Sequence, residues 1–131
     1  MRIVICSSMR YLVEMRNWFQ VFKDHGHDVW MPTNFDTHKF PKNVALEMQA
    51  VTRPIHFQKI KNLKDGVVFV VNKDGYIGAG TFAEITYCYI LNNLHGHRNK
   101  IYTIEPLDPE STFYEELANF GTLVYDRSLE V

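Results

Sequence analysis

The sequence predicts an α/β fold built on a parallel sheet, and three observations predict it. Residues 3–6 (Ile-Val-Ile-Cys) and 67–71 (Val-Val-Phe-Val-Val) are β-branched runs without polar alternation, the pattern of strands covered on both faces. Between such runs lie segments whose apolar residues recur at three- and four-residue spacing, so strands and helices alternate along the chain. The 131 residues, 46% hydrophobic and 22% charged, suit one folded domain with a sizeable core, spanning 1–131.

The elements follow in order. Residues 3–6 make the first strand, and Ser7-Ser8 interrupt it. Tyr11, Leu12, Met15, Trp18, Phe19 and Phe22 then mark a helix that stops near His25-Gly26, where Gly serves as the left-handed cap. Residues 29–31 form the second strand, closed by Pro32, and residues 33–43 read as a loop long enough to carry function. A helix covers 44–63, with Pro54 as a candidate break. After the strand at 67–71, a Gly-rich turn over 72–80 leads into a helix from about Thr81 to Leu94, ended by His95-Gly96. Residues 101–104 and 122–125 supply the fourth and fifth strands, flanking a short helix over about 112–120. Five strands in this sequence suit a flavodoxin-like, broadly Rossmann-like, three-layer α/β/α sandwich around a five-stranded parallel sheet. Sheets of that kind bind ligands outside the carboxyl ends of the strands, at the switch point between the first and third.

Composition excludes several functions. Lys and Arg number 14 against 15 Asp and Glu, so the net charge of −1 provides no global field for polymeric nucleic acid or an anionic membrane. No apolar run approaches the ~18 residues that span a bilayer, and the amino-terminal run is too short for a signal peptide. Cys6 and Cys88 lie in apolar stretches and read as buried reduced thiols, which makes the cytoplasm the expected compartment. No Cys/His spacing resembles a metal site, the His95/His97 pair reads as a helix cap, and no motif calls for a cofactor.

The chemistry is therefore expected in the crevice. Residues 72–84 read Asn-Lys-Asp-Gly-Tyr-Ile-Gly-Ala-Gly-Thr-Phe-Ala-Glu, a turn whose glycines let backbone approach a ligand ahead of a helix N-terminus. It is neither a dinucleotide fingerprint nor a P-loop. Glu84 is the only charged residue between Gly75 and His97. Thr81-Phe82-Ala83-Glu84 fits a capping box, yet Glu84 also heads the apolar stripe of Tyr87, Cys88 and Leu91, which would desolvate its carboxylate beside the crevice. Ser7, Ser8, Met9 and Arg10 after the first strand offer hydroxyls, amides and a guanidinium for phosphate or sugar. Asp74 stands at the ligand end of its strand, Tyr76 is a candidate wall for an aromatic base, and His56 falls on a helix that could face the crevice.

Together, Cys6-Ser7-Ser8-Met9-Arg10, His56-x-x-Lys59-Ile60 and Asn72-x-x-Gly75-Tyr76-Ile77-Gly78-x-x-Thr81-x-x-Glu84-Ile85-x-Tyr87 resemble the nucleoside 2-deoxyribosyltransferase-like superfamily, in particular its small members with a Gly-Tyr-Ile-Gly turn, relatives of 2′-deoxynucleoside 5′-phosphate N-hydrolases. The resemblance implies that Glu84 attacks C1′ of a nucleoside or nucleoside 5′-monophosphate, giving hydrolysis with water or transfer with a second base. It also implies that Asn72, Asp74, Gly75, Tyr76, Gly78 and Thr81 join Ser7, Ser8, Met9 and Arg10 in holding the substrate, and that the chain forms a homodimer or larger homo-oligomer. Three features depart from the family, the first being Ser8, where relatives commonly have other small residues. Gly78 stands where the transferases carry an Asp and the nucleotide hydrolases a Ser, and the helix before the third strand offers His56 or Phe57 in place of a further Asp. His56 is the candidate replacement for the missing acid. A nucleotide-binding or sensing module with little or no catalysis is the alternative that these departures raise.

Overall fold

The computed structural model describes residues 1–32 and 41–131. Five strands, β1 (Arg2–Cys6), β2 (Asp28–Trp30), β3 (Val67–Val70), β4 (Lys100–Thr103) and β5 (Leu123–Val124), form one sheet in the order β2-β1-β3-β4-β5. All neighbours are parallel, with Cys6 opposite Val70 and Val70 opposite Thr103. The chain passes from β1 outward to β2 and returns on the other side of β1 to β3, so the switch point lies between β1 and β3 as expected.

Strand parity divides the core. Ile3, Ile5, Val67, Phe69 and Val71 face one way, against Met15 and Phe22 of helix α1 (Leu12–Asp24) and Leu129 near the carboxyl terminus. Phe69 is surrounded there by Trp18, Phe22 and Tyr125, with ring centroids 4.8 to 5.1 Å away. Val4, Cys6, Val68 and Val70 face the other way, against Ile60 of helix α2 (Lys42–Lys61) and Leu63 just after it, Ile85, Cys88 and Leu91 of helix α3 (Ala79–Leu94), and Leu117 of helix α4 (Tyr114–Asn119). Burial on both sides is why these strands show no alternation in sequence.

The differences from the sequence reading have physical causes. Helix α2 runs through Pro54 unbroken; Ala50 and Pro54 are both exposed, so the hydrogen bond that the imino acid cannot make is lost on the solvent side. Lys42 and Asn43, read as loop, belong to α2, and residues 33–40 of that loop lie outside the described residues. Helix α3 begins at Ala79, ahead of the expected Thr81, because packing against α2 outweighs the poor helix propensity of the Gly-Ala-Gly run. Both α1 and α3 end as read, with Gly26 and Gly96 at positive φ of 83° and 73°. Among the described residues no helix is long and apolar enough to cross a membrane.

Candidate functional site

A cleft of about 210 Å³ opens at the carboxyl ends of β1 and β3. The turn after β1 contributes Ser7, Ser8 and Met9; α2 contributes Gln49, Thr52, Arg53, His56 and Phe57; the turn into α3 and its start contribute Tyr76, Gly78, Ala79, Gly80, Thr81 and Glu84; and Pro32 follows β2. The α2 residues fall at helical spacing on one face, which periodicity alone could have singled out for Gln49, Thr52 and Arg53 alongside His56.

Glu84 and His56 meet in the depth of the cleft. They are 8% and 5% exposed, and the His56 Nδ1 contacts the Glu84 Oε2. On its other side the His56 Nε2 lies 3.2 Å from the Cys6 Sγ, which is fully buried. The ring of Trp30 packs on the imidazole with centroids 4.9 Å apart. Each element delivers one member for a local reason. Parity turns the Cys6 side chain to the α2/α3 face at the carboxyl end of β1, α2 presents His56 on its cleft face, and α3 brings Glu84 down in its second turn.

The capping role open to Glu84 in the sequence is not the one it plays. The helix is capped by Gly78 with no side-chain bond, which leaves Thr81 inside the first turn and Glu84 beyond reach of the cap amide. The second oxygen of its carboxylate has no partner among the described residues.

The expected binding residues separate into two groups. Ser7, Ser8, Met9, Tyr76, Gly78 and Thr81 do line the cleft. The Ser7 hydroxyl donates to the Val71 carbonyl at 2.6 Å, and the Ser8 Oγ accepts from the Arg10 amide at a long 3.5 Å. Arg10 stands at the rim, its guanidinium 4.2 Å above the Tyr76 ring, and that ring lies over Gly78. A Cβ at Gly78 would come within 3.2 Å of the Tyr76 hydroxyl, so glycine is what permits this fold-over.

Asn72, Asp74 and Gly75 are not brought into the cleft. Asn72 is fully buried; its Oδ1 accepts from the Ile104 and Glu105 amides at 3.0 Å each, and its Nδ2 donates to the Glu105 carbonyl at 3.0 Å. The Gly75 amide donates to the Glu105 carboxylate at 3.2 Å, and Asp74 takes a left-handed φ of 58°. Asn72 and Gly75 tie the turn after β3 to the end of β4 and so aim Tyr76 and α3. Lys73 adds a 2.8 Å ion pair to Glu14 of α1 across the surface.

Electrostatics distinguish the depth from the mouth. Arg10 and Arg53 are both exposed, and Arg53 reaches the first turn of α3, where a Cβ on Gly80 would lie 3.4 Å from its Nη2. Two guanidinium groups and a helix N-terminus therefore favour an anion at the mouth. In the depth, burial pushes the Cys6 thiol well above the usual range, reinforced by the nearby Glu84 and then Cys88. Burial likewise raises Cys88 to about 12.

Cys6, His56 and Glu84 place one potential metal-ligating atom each within 4.8 Å of the others. The imidazole, however, presents a different nitrogen to each neighbour, the arrangement of a hydrogen-bonded chain; a mononuclear centre needs one nitrogen shared with both. Compared with known proteins, the chain matches no family model, no curated protein and no solved structure.

Proposed function

We propose that this protein cleaves the N-glycosidic bond of a nucleoside or nucleoside 5′-monophosphate with Glu84 as nucleophile. The observation that carries the reading is a buried carboxylate at the foot of a cleft, steadied through one oxygen by His56, with its other oxygen unpartnered among the described residues. A carboxylate so placed opposes the positive charge that develops on a sugar as its base departs. Glu84 forms a bond to C1′, the C1′–N bond breaks with its electrons leaving on the base, and water or a second base then releases the sugar ester. Hydrolysis stands ahead of transfer, because Gly78 leaves the transferase Asp position without an acid.

The volume supports a division of the ligand. About 210 Å³ falls below the roughly 300 Å³ at which drug-sized pockets begin, so the sugar and reacting bond occupy the depth. A 5′-phosphate then lies at the mouth with Arg10, Arg53 and the start of α3, and the base meets Tyr76. His56 has both nitrogens engaged by Glu84 and Cys6, which favours orienting the nucleophile over protonating the leaving base. The motif resemblance to the nucleoside 2-deoxyribosyltransferase-like superfamily agrees with this assignment of Glu84.

The test is incubation with a panel of nucleosides and 5′-monophosphates, reading free base by chromatography. Wild type releases base, and Glu84→Ala lowers the rate by at least about a hundredfold, roughly 3 kcal/mol of barrier. One observation favours a second reading. Glu84 is the sole carboxylate lining the cleft among the described residues, whereas glycosidases of the common kind use a pair. If wild type releases nothing with or without an acceptor base, yet nucleotides raise its melting temperature, the protein is a nucleotide-binding module.

Assembly belongs to the same reading. Helix α3 buries Ile85, Cys88 and Leu91 within the subunit but leaves Ile90 and Leu94 exposed, and α2 exposes Val51 and Ile55. A second copy covering these residues gives a homodimer, and light scattering at micromolar concentration returning a monomer rules it out.

A further inference from the structure

Cys6 is the member of the buried chain for which the proposed reaction has no task. It does not line the cleft and has no exposed surface, so it is no nucleophile for a ligand there. Its 3.2 Å approach to the His56 Nε2 is nevertheless a close one for sulfur.

Counting protons shows what the contact does. The chain Cys6–His56–Glu84 has two contacts, and each needs one proton between its atoms. A neutral thiol, an imidazole protonated on Nδ1 and an ionised carboxylate supply them: S–H points to Nε2, and Nδ1–H points to the Glu84 oxygen. The opposite tautomer turns the Nδ1 lone pair against an ionised carboxylate and crowds two protons between sulfur and Nε2. A thiolate with an imidazolium also satisfies both contacts but buries a second negative charge next to Glu84. The titratable groups facing Cys6 are His56 from α2 and Glu84 and Cys88 from α3, and none of them favours the thiolate except a protonated His56.

We propose that Cys6 is a positioning residue: its S–H donates to the His56 Nε2, fixing the Nδ1–H tautomer that aims the Glu84 carboxylate into the cleft. The tautomer assignment rests on the two contacts of His56 and on a carboxylate at Glu84; only its catalytic consequence rests on Glu84 being the nucleophile.

The experiment is long-range proton–nitrogen NMR of the uniformly labelled, ligand-free protein at neutral pH, followed by Cys6→Ser and Cys6→Ala. His56 should show a protonated Nδ1 and a pyridine-like Nε2. Cys6→Ser keeps a donor and keeps the tautomer, whereas Cys6→Ala loses it to an exchanging mixture. Where base release is measurable, Cys6→Ala slows it by up to about a hundredfold, the loss that misplacing a reacting group brings, with an altered pH profile, and Cys6→Ser restores most of it. A wild-type His56 protonated on Nε2, or on both nitrogens, overturns the proposal, as does an unchanged tautomer in Cys6→Ala. The wild-type spectrum decides alone if Cys6→Ala does not fold. Absence of base release would sink the glycosidase reading and leave the NMR result standing.

Discussion

At the scale of single residues, the buried groups make pH a direct probe. Cys6 and Cys88 are thiols whose folded-state pKa lies above that of the unfolded chain, with burial the main cause for both. Their contribution to stability is complete below the unfolded value of about 8.5 and is lost as pH rises through the folded value, because the unfolded chain sheds protons first. Each thiol adds a decline of up to about 1.4 kcal/mol per pH unit above pH ~8.5. Urea unfolding at pH 8 and pH 10 checks this; the loss between them should be smaller in Cys88→Ala than in wild type, and thiol reagents should label neither cysteine until the chain unfolds. Glu84 was legible because a lone charge in an apolar, aromatic segment must be accommodated by something. What accommodates it was not legible, since Cys6 reads as one more apolar strand residue and only parity and depth bring its sulfur to an imidazole.

Helices and turns carry the next level. The cleft face of α2 was written in the sequence at helical spacing but lay hidden behind the proline that marked a break, and so Arg53 went unassigned. Conversely, Asn72 and Gly75 looked like ligand residues by position, and both fasten the turn after β3 to the end of β4, a bond pattern that local sequence does not disclose. Gly80 sits where α2 and α3 approach, and two effects compete there. Ala improves helix propensity by about 1 kcal/mol. Its Cβ meets only the far end of Arg53, at 3.4 Å, which can shift. Gly80→Ala should therefore raise the urea midpoint while displacing Arg53 and weakening nucleoside monophosphate binding more than nucleoside binding, as titration calorimetry would register.

Across the whole molecule, the two ends of the sheet have different work. The parallel sheet and its switch point between the first and third strands followed from the alternation of patterns, which is the strongest signal a short α/β chain has. Carboxyl ends hold the cleft, and amino ends hold the sheet together. At the latter, Gly66 leads into β3; its amide donates to the Asn99 side chain at 2.8 Å and its carbonyl accepts from Lys100 at 2.9 Å. A Cβ there would come within 2.7 Å of the Arg2 backbone carbonyl, which has no freedom to move without disturbing β1. Gly66→Ala should cost about 2 kcal/mol or more in urea unfolding, while the rate per folded molecule stays at the wild-type value.

The packing of Trp30 on His56 has a use that concerns neither stability nor chemistry. An indole held against an imidazole is an optical reporter, because an imidazolium quenches indole emission more strongly than its neutral form. The chain has 2 tryptophans, and the other, Trp18, lies in the aromatic cluster on the opposite face of the sheet. With Trp18 replaced by Phe, the emission yield of Trp30 becomes a titration curve for His56, read in an ordinary cuvette without isotope or substrate.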